Sequence, residues 1–214
     1  MNESTTNVMT YDVLILAGGR SSRFDGEDKG LQTLNGNTLI EHCINRVNKI
    51  TRHIMISANR NLDIYHQYGY TIVTDNDGNF NGPLAGIYAS LPHIKSNYIF
   101  VCPCDMPFLP ADIENQLAQA ILETSRPICV LKHHNRLEHL VVLIERNQLD
   151  SIPSYLEAGG RSVIGWLEQQ AFATYESNAD AINFLNINNQ NDLAIASKVL
   201  SKQKHRMLAS LTYF

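Results

Sequence analysis

Short apolar runs alternate along this chain with longer stretches in which apolar residues recur every three or four positions. The short runs have the length of buried strands, and the longer stretches are typical of helices that cover a sheet. The alternation predicts an α/β fold with three layers, in which helices cover both faces of a mostly parallel twisted sheet. The predicted strands cover 12–17, 53–57, 71–74, 98–102, 128–131, 140–144 and 184–187, and the predicted helices cover 39–49, 63–68, 84–92, 112–124, 148–158, 162–169 and 192–201.

The last predicted helix has a clear start signal. Asn189 can cap its N-terminus, and Asp192 places an acid three residues later, in the first turn. The segment 201–214 follows this helix and carries several basic residues. We expect it to be a solvated or frayed tail.

The composition fits one globular domain. The chain has 214 residues, of which 44% are hydrophobic and 18% charged, so it is long enough to bury a full core. A net charge of −4 argues against binding in a nucleic-acid groove, which calls for a basic excess. No apolar run approaches the roughly 20 residues of a membrane span, and residues 1–10 lack the basic and apolar parts of a signal peptide. We therefore expect a cytoplasmic protein with no membrane or nucleic-acid partner.

The cysteines and histidines do not form a metal motif. The four cysteines are scattered and are expected to be reduced thiols. A structural zinc site needs four ligands, and no second cysteine pair accompanies Cys102 and Cys104, so we expect one in the core and the other in a loop. His133, His134 and His139 fit no HExxH pattern and are expected at the surface or in loops.

Glycine and polar residues follow four of the predicted strands. Gly18 and Gly19 come after the first strand, Asn59 after the second, Asp75 after the third and Asp105 after the fourth. Ligands of open α/β sheets bind beyond the carboxyl ends of the strands. These residues therefore predict one binding site at that edge of the sheet.

The loop after the first strand has the chemistry of a polyphosphate site. Gly18 and Gly19 allow backbone N–H groups to approach a ligand, and Arg23 and Lys29 add positive charge. Neither GxxxxGK[ST] nor GxGxxG is present, so this is not a Walker A or dinucleotide loop. A glycine pair also marks ordinary tight turns, and most lysines are simply solvated, so the loop alone leaves both interpretations open.

The stretch Leu16-Ala17-Gly18-Gly19-x-x-x-Arg23-Phe24, with Lys29 six residues further on, resembles the signature loop of nucleotidyltransferases with a Rossmann-like fold. Over residues 11–199 the chain is most similar to the molybdenum cofactor guanylyltransferase family. The matching segments are Asp28-Lys29-Gly30-Leu31, Leu34-Asn35-Gly36, Ala58-Asn59-Arg60, Asp75, Gly82-Pro83-Leu84-Ala85-Gly86, Cys102-Pro103-Cys104-Asp105-Met106-Pro107 and Asn186-Ile187-Asn188. The resemblance implies a single domain over 1–200, with a nucleotide-binding half at 11–110, an acceptor-binding half at 111–200 and a tail at 201–214.

The resemblance also implies roles for individual residues. Arg23, Lys29 and Asp105 are the expected catalytic residues: Lys29 on the α-phosphate, Arg23 on the β- and γ-phosphates, and Asp105 as the ligand of Mg²⁺, for which Mn²⁺ can substitute. One carboxylate is chemically sufficient, because Mg²⁺ keeps water and phosphate ligands. The expected nucleotide-binding residues are Leu16, Ala17, Gly18, Gly19, Lys29, Ser57, Asn59, Asp75, Gly82, Pro83, Leu84 and Asp105, and the expected acceptor-binding residues are Arg161, Asn186 and Asn188.

Several of these residues also have an ordinary structural interpretation. Asp75 and Asp105 each lie where a turn is expected, and Pro83 after Gly82 is a common helix start.

The acceptor-side motifs are open in the same way. Asn186 and Asn188 face one side of the predicted strand 184–187, where they could simply cap the next helix, and Arg161 could be a solvated loop residue after a glycine pair. Two departures from the family pattern are Ser57, where some members carry asparagine, and Leu140, where members often carry proline after histidine.

The implied reaction is transfer of GMP from GTP to molybdopterin, which forms the guanine dinucleotide form of the molybdenum cofactor and releases pyrophosphate. Transient contact with other maturation proteins of that cofactor is expected. Two alternatives stay open: a cytidylyl- or uridylyltransferase acting on a sugar or polyol phosphate, and a nucleotide-binding regulator without catalysis.

Overall fold

A seven-stranded sheet forms the centre of the structure. The computed structural model describes residues 9–17, 27–49, 51, 53–75 and 82–211, with 203–211 described by backbone alone. The strands are β1 (Tyr11–Leu16), β2 (Thr33–Leu34), β3 (Asn37–Thr38), β4 (Ile54–Ser57), β5 (Thr71–Val73), β6 (Tyr98–Pro103), β7 (Ile128–His133), β8 (Arg136–Glu145) and β9 (Phe172–Glu176). Their order in the sheet is β5-β4-β1-β6-β8-β7-β9, and β2 pairs with β3 in a separate hairpin.

Most of the pairing in this sheet is parallel. β1 pairs in parallel with β4 and β6, β4 with β5, and β7 with β9, whereas β8 runs antiparallel to both β6 and β7. The predicted α/β fold with a mostly parallel sheet is confirmed. Because β5, β4, β1 and β6 run in one direction, their carboxyl ends meet at one edge, where the candidate site residues follow them.

Helices cover both faces of the sheet. The described helices are α1 (Leu39–Val47), α2 (Leu62–His66), α3 (Pro83–Ala89), α4 (Ile113–Thr124), α5 (Ile152–Glu157), α6 (Val163–Leu167) and α7 (Gln190–Leu211). Alternate residues of β1 divide between two apolar clusters, since Val13 and Ile15 pack with α1 and α4 while Leu14 and Leu16 pack with α3, α5 and α6 on the other face. The three predicted layers are therefore present.

Local capping accounts for where two of the helices begin. At α1 the N–H of Glu41 donates to Oγ1 of Thr38 at 3.3 Å, and the Glu41 carboxylate accepts from the Thr38 N–H at 2.6 Å. At α7 the Asn189 Oδ1 accepts from the N–H groups of Asn191 and Asp192 at 2.9 and 3.0 Å, which confirms the predicted cap. The α7 backbone continues to residue 211, so the tail expected from 201 onward is helical over most of its length.

The predicted strand at 184–187 is wrong. A 3-10 turn, Ala181–Phe184, precedes an irregular segment that leaves the sheet, and Ile187 packs against Leu34 and Leu193 in a third apolar cluster. The edge strand is instead β9, which pairs with β7. Its sequence, FATYE, interleaves exposed Thr174 and Glu176 with apolar residues, because an edge strand is only partly covered.

Smaller differences concern element boundaries. The predicted helix 148–158 begins as a 3-10 turn, Arg146–Ser151, and α5 starts only at Ile152, where Pro153 fits the first turn because no N–H is needed there. All four cysteines are buried free thiols. Among the helices described, none combines the length and the apolar character that crossing a bilayer requires.

A buried carboxylate anchors the start of β1. Asp12 is 2% exposed and accepts hydrogen bonds from the N–H groups of Lys95 and Ser96 at 2.5 and 3.1 Å and from the Ser96 hydroxyl at 2.8 Å. His53 Nδ1 lies 3.0 Å from Oδ2 of Asp12. Burial raises the pKa of Asp12, but the hydrogen bonds and His53 outweigh it and leave the pKa below its ordinary value of 3.8.

This shift predicts how stability depends on pH. A carboxylate with a lowered folded pKa stabilises the fold above its unfolded pKa, and that stabilisation is lost as the pH falls through the folded pKa. We expect Asp12→Asn to lower the free energy of unfolding at pH 7 by about 1–3 kcal/mol, with the deficit shrinking below pH 3.8. Urea denaturation between pH 7 and pH 3 measures it, and Asp150→Asn at an exposed site is the control. A deficit that stays constant down to pH 3 would contradict the assignment.

Candidate active site

A lysine, an aspartate and an asparagine meet at the carboxyl edge of the sheet. Lys29 lies in a 3-10 turn, and its Nζ forms an ion pair with Asp105 and donates a hydrogen bond to Oδ1 of Asn188 at 2.7 Å. The partners stand 76 and 159 positions away in the chain. The Lys29 side chain is 20% exposed and that of Asp105 15%, so the ion pair is largely shielded from water but reachable from solvent.

Backbone hydrogen bonds fix the segment that carries Asp105. It follows β6 after Cys104, whose N–H donates to the Leu16 carbonyl at the end of β1 at 3.0 Å. The pairing between β1 and β6 thus extends one residue beyond β6. Asp105 is therefore held in the register of the sheet rather than on a free loop.

The segment around Asn188 is tied to the same place. The N–H of Ile187 donates to the Asp105 carbonyl at 2.9 Å, which brings the next residue to Lys29. The N–H of Asn188 donates to Oδ2 of Asp192 in the first turn of α7 at 2.7 Å, and its side-chain amide donates to the Asn186 carbonyl at 3.4 Å. Asn188 thus reaches the site through an irregular segment and not through the strand predicted at 184–187.

The second carboxylate oxygen of Asp105 suits a cation. Oδ2 pairs with Lys29, whereas Oδ1 is buried and has no hydrogen-bond donor within the described ranges. A buried anionic oxygen without a donor is costly unless a cation neutralises it, and carboxylate oxygen is the ligand type that Mg²⁺ prefers. Asp105 therefore fits the metal role predicted for it. The part of the chain that the structure describes holds no group of three or more His, Cys, Asp or Glu able to bind a metal.

Asp28, directly before Lys29, is the most extensively hydrogen-bonded carboxylate around this site. Its Oδ1 accepts from the Gly30 N–H at 3.1 Å and from the Tyr65 hydroxyl at 2.8 Å, and its Oδ2 accepts from the Asn61 side chain at 3.0 Å. Sequence reasoning assigned no role to these side chains. Tyr65 lies within the predicted helix 63–68, and its complete burial requires a partner for its hydroxyl.

The ends of β4 and β5 carry three further predicted residues. The Ser57 carbonyl accepts from the Ala17 N–H at 2.9 Å, and the Ser57 hydroxyl is buried against Gly86, where an added Cβ would collide with it. The Asn59 Oδ1 accepts from the Asp75 N–H at 3.0 Å, which links the two loops. Burial raises the pKa of Asp75, although its hydrogen bonds act in the opposite direction.

The predicted nucleotide segment at 82–84 forms the start of α3. Gly82 precedes the helix with φ 131°, a conformation that favours glycine, and Pro83 occupies the first helical position. The Leu84 side chain is fully buried in the apolar cluster on that face of the sheet. Leu84 therefore packs in the core, and its role in nucleotide binding stays a prediction.

Arg161 lies beside this helix start rather than beside Lys29. Its carbonyl is 3.7 Å from the position that a Cβ on Gly82 would take. Its guanidinium Nη1 donates to the carbonyls of Leu156 and Gly160 at 2.7 and 2.6 Å, at the end of α5. The segment that follows α5 thus lies against the start of α3 at Gly82.

The remaining predicted residues lie on the first loop and at its base. Leu16 and Ala17 are buried, 6% and 3% exposed, at the end of β1. Gly18, Gly19 and Arg23 lie outside the described residues.

Two polar side chains of the β7–β8 hairpin are buried, which the sequence analysis did not predict. Glu138 in β8 is 8% exposed, and burial raises its pKa. The negative charge of Asp105 adds to that rise, whereas Arg136, whose Nε lies 3.3 Å from the Glu138 carboxylate, acts against it. His133 was expected at the surface but is buried, with its ring stacked on His134 at 4.2 Å and tilted against Phe184 at 4.0 Å between centroids. His133 ends β7 and Glu138 lies near the start of β8, where the pattern of polar and apolar residues does not indicate which polar side chains become buried.

Several known proteins are similar to this chain in sequence. The family described as the MobA-like NTP transferase domain matches residues 13–171. A molybdenum cofactor guanylyltransferase of Shewanella piezotolerans is 30% identical over 93% of this chain and 98% of its own length. One of Cupriavidus pinatubonensis is 41% identical over 84% of this chain and 92% of its own length.

Solved structures agree in fold. Molybdopterin-guanine dinucleotide biosynthesis protein A from Archaeoglobus fulgidus has a TM-score of 0.76 at 24% identity, covering 89% of this chain and 99% of its own. A CMP:2-keto-3-deoxy-manno-octonic acid synthetase has a TM-score of 0.71 at 11% identity, covering 90% of this chain and 99% of its own. The family match covers most of the sheet and the segments carrying Lys29 and Asp105, and the chain therefore belongs to the MobA-like NTP transferase family.

Proposed function

We propose that this enzyme transfers GMP from GTP to molybdopterin, forming the guanine dinucleotide form of the molybdenum cofactor and releasing pyrophosphate. The observation that carries the proposal is the convergence of Lys29, Asp105 and Asn188 at the carboxyl edge of the sheet. Relatives named molybdenum cofactor guanylyltransferase, at 30% and 41% identity over most of the chain, support the choice of substrates. The cytosol as compartment and contact with other maturation proteins stay predictions.

In the proposed reaction a terminal phosphate oxygen of molybdopterin attacks the α-phosphorus of GTP. A new P–O bond forms to the acceptor, and the bond between the α-phosphorus and the bridging oxygen breaks, with its electron pair leaving on pyrophosphate. No covalent bond to the protein is needed. The protein aligns two anionic substrates and offsets their repulsion.

Lys29 is the group placed to offset that charge. Its ammonium sits on a flexible four-carbon stem and can exchange a carboxylate or amide oxygen for a phosphate oxygen. The turn that begins at Lys29 fixes the base of the stem, and Asn188 and Asp105 hold its end when no phosphate is bound. In the proposed reaction the ammonium stabilises the negative charge that develops on the α-phosphate.

Asp105 would hold the divalent cation of the reaction, Mg²⁺ with Mn²⁺ as a substitute. A bound cation neutralises phosphate charge and orients the triphosphate. The buried, donorless Oδ1 supports this role, since it is the oxygen that Lys29 leaves without a partner. Asn188 keeps Lys29 close to Asp105 and so maintains the charge balance of the site.

Nucleotide choice separates the proposal from transfer of CMP or UMP. The fold does not decide it, because a CMP-sugar synthetase shares the fold at a TM-score of 0.71. Asp75 and Asn59, tied together at the ends of β5 and β4, are the polar groups available for hydrogen bonds from ribose or base.

Nucleotide-dependent melting tests this choice. We expect GTP with Mg²⁺ to raise the melting temperature more than ATP, CTP or UTP does, because a ligand at a hundredfold excess over its Kd stabilises the fold by about 2.7 kcal/mol. For a domain of this size each kcal/mol corresponds to about 2–4 °C. An equal or larger shift with CTP would favour the cytidylyltransferase alternative.

The two catalytic roles predict similar losses of turnover but a different dependence on Mg²⁺. Lys29→Ala should lower kcat by about 100-fold or more while changing GTP binding less, because its charge matters most in the transition state. Asp105→Asn should reduce turnover by a similar factor and raise the Mg²⁺ concentration needed for half-maximal rate. Pyrophosphate release measures both, with Lys95→Ala as the control for loss of an exposed lysine beside the start of β1, at the opposite edge of the sheet. Turnover at the wild-type rate would remove the residue concerned from the mechanism.

The acceptor side is tested at Arg161. We expect Arg161→Ala to weaken molybdopterin binding by about tenfold, the loss of one charge-assisted contact, and to leave stabilisation by GTP unchanged. Arg161→Lys keeps the positive charge but lacks the guanidinium that bonds to the carbonyls at the end of α5. This variant therefore distinguishes the effect of the charge from the effect of those hydrogen bonds. Arg126→Ala at an exposed site is the matched control. Equal losses for both ligands, or no loss for either, would exclude the acceptor role.

A further inference from the structure

We propose that Asp28 is the positioning residue for Lys29, and that Tyr65 in α2 and Asn61 just before α2 hold Asp28 in place. This inference rests on the proposed function, because it concerns how the lysine of that reaction is held. The direction of the Lys29 side chain is set by the hydrogen bonds of Asp28, which are donated by residues that follow β4.

The first step is the turn itself. Lys29 is the first residue of the 3-10 turn Lys29–Leu31, and Asp28 caps that turn by accepting from the Gly30 N–H at 3.1 Å. A side-chain cap satisfies an N–H that the turn leaves without a partner. The cap therefore fixes the backbone on both sides of Lys29.

The second step is what holds the cap. The Tyr65 hydroxyl donates to Oδ1 of Asp28 at 2.8 Å, and the Asn61 amide donates to Oδ2 at 3.0 Å. Arg60 adds charge, with its Nε 3.8 Å from Oδ2. Both carboxylate oxygens are thus engaged on a residue that is only 8% exposed. A buried carboxylate with this many donors has one stable orientation.

The third step is the rigidity of the anchors. Tyr65 is fully buried in the apolar cluster beneath α1 and cannot move without opening the core. Burial is the largest cause that raises the pKa of Tyr65, so its hydroxyl stays protonated and remains a donor. Asn61 has φ 53° and directly precedes α2, a conformation that asparagine and aspartate tolerate better than most residues.

The fourth step is the close fit of the turn against these anchors. A Cβ added to Gly30 would collide with the Tyr65 hydroxyl, and it would lie 3.5 Å from both Ala17 and Cys104 Sγ. The turn is therefore pressed against Tyr65 on one side and against the residue before Asp105 on the other. A small shift of Asp28 moves the base of Lys29 relative to Asp105, and a displacement of about 1 Å in a catalytic group can cost about 100-fold in rate.

The test exchanges the polarity of one hydrogen bond. Asp28→Asn removes the negative charge of the carboxylate that accepts from Gly30, Tyr65 and Asn61, and the Asn61 amide must then turn over to pair with the new amide. Asn61→Asp sets two carboxylates against each other. The double variant with both changes restores a hydrogen bond with donor and acceptor exchanged, keeps the net charge, and leaves an oxygen at position 28 for Gly30 and Tyr65. We expect each single variant to lower kcat by about tenfold or more with KM for GTP changed less than about threefold, and the double variant to recover to within about threefold of wild type.

A second readout does not depend on turnover. Acetic anhydride labelling of lysines, mapped by mass spectrometry, reports how firmly Lys29 is held by Asp105 and Asn188. We expect the single variants to raise the labelling rate of Lys29 by about threefold or more and the double variant to lower it again. Lys132, which pairs with Glu176 at 3.1 Å, is the internal reference.

Two tyrosines provide a matched control if Asp28→Asn does not fold. Tyr65→Phe removes one donor to Asp28, whereas Tyr68→Phe removes a hydroxyl that contacts Thr38 Oγ1 at 3.2 Å in the same helix region. We expect the first to lower kcat and raise labelling of Lys29, and the second to do neither.

The inference is overturned if Asp28→Asn, or Tyr65→Phe in its place, leaves kcat and labelling at wild-type values, or if a stable double variant stays as impaired as the single ones. A wild-type protein that releases no pyrophosphate from GTP and molybdopterin would refute the proposed function, while the labelling result would still decide the role of Asp28.

Discussion

The ion pair between Lys29 and Asp105, completed by the Asn188 amide, is the interaction that the site is built around. Neither charged side chain is more than 20% exposed, so their attraction is stronger than at an open surface, but each has given up hydration. Without a ligand the pair keeps the site near neutral charge. In the proposed reaction a triphosphate replaces one partner of the ammonium, and the site needs little reorganisation to accept it.

The parallel sheet makes this arrangement possible. The Ala17 N–H donates to the Ser57 carbonyl at 2.9 Å, and the Ala58 N–H donates to the Val73 carbonyl at 3.0 Å. With the similar bond from Cys104, these bonds extend the pairing past the strand ends and fix where each loop begins. Two features of the site lower the stability of the fold: the buried Asp105 oxygen without a hydrogen-bond donor, and the buried carboxyl group of Glu138. The apolar clusters on both faces of the sheet offset them.

Much of the fold followed from periodicity. Six of the seven predicted strands and each of the seven predicted helices have a counterpart among the described residues, because buried parallel strands and the helices that cover them leave strong apolar patterns. The motif positions were equally informative about the site. Asp105 was expected at the carboxyl edge because it follows a buried strand, and the structure brings it to Lys29 there. The chemistry of Gly18, Gly19 and Arg23 stays a prediction, since these residues lie outside the described ranges.

Tertiary structure decided what local patterns cannot contain. The apolar residues at 184–187 look like a strand, but Ile187 packs beside Leu34, and its N–H bonds to the Asp105 carbonyl, which carries Asn188 to the site. The true edge strand β9 is half solvated and therefore too polar to stand out. The partners of Asp28 come from positions 33 and 37 residues further along the chain. The sequence by itself determines which elements form and which of their faces are buried, because both follow from the spacing of apolar residues along the chain. The contacts of Asn188 and Asp28 depend instead on which loops the folded sheet brings together.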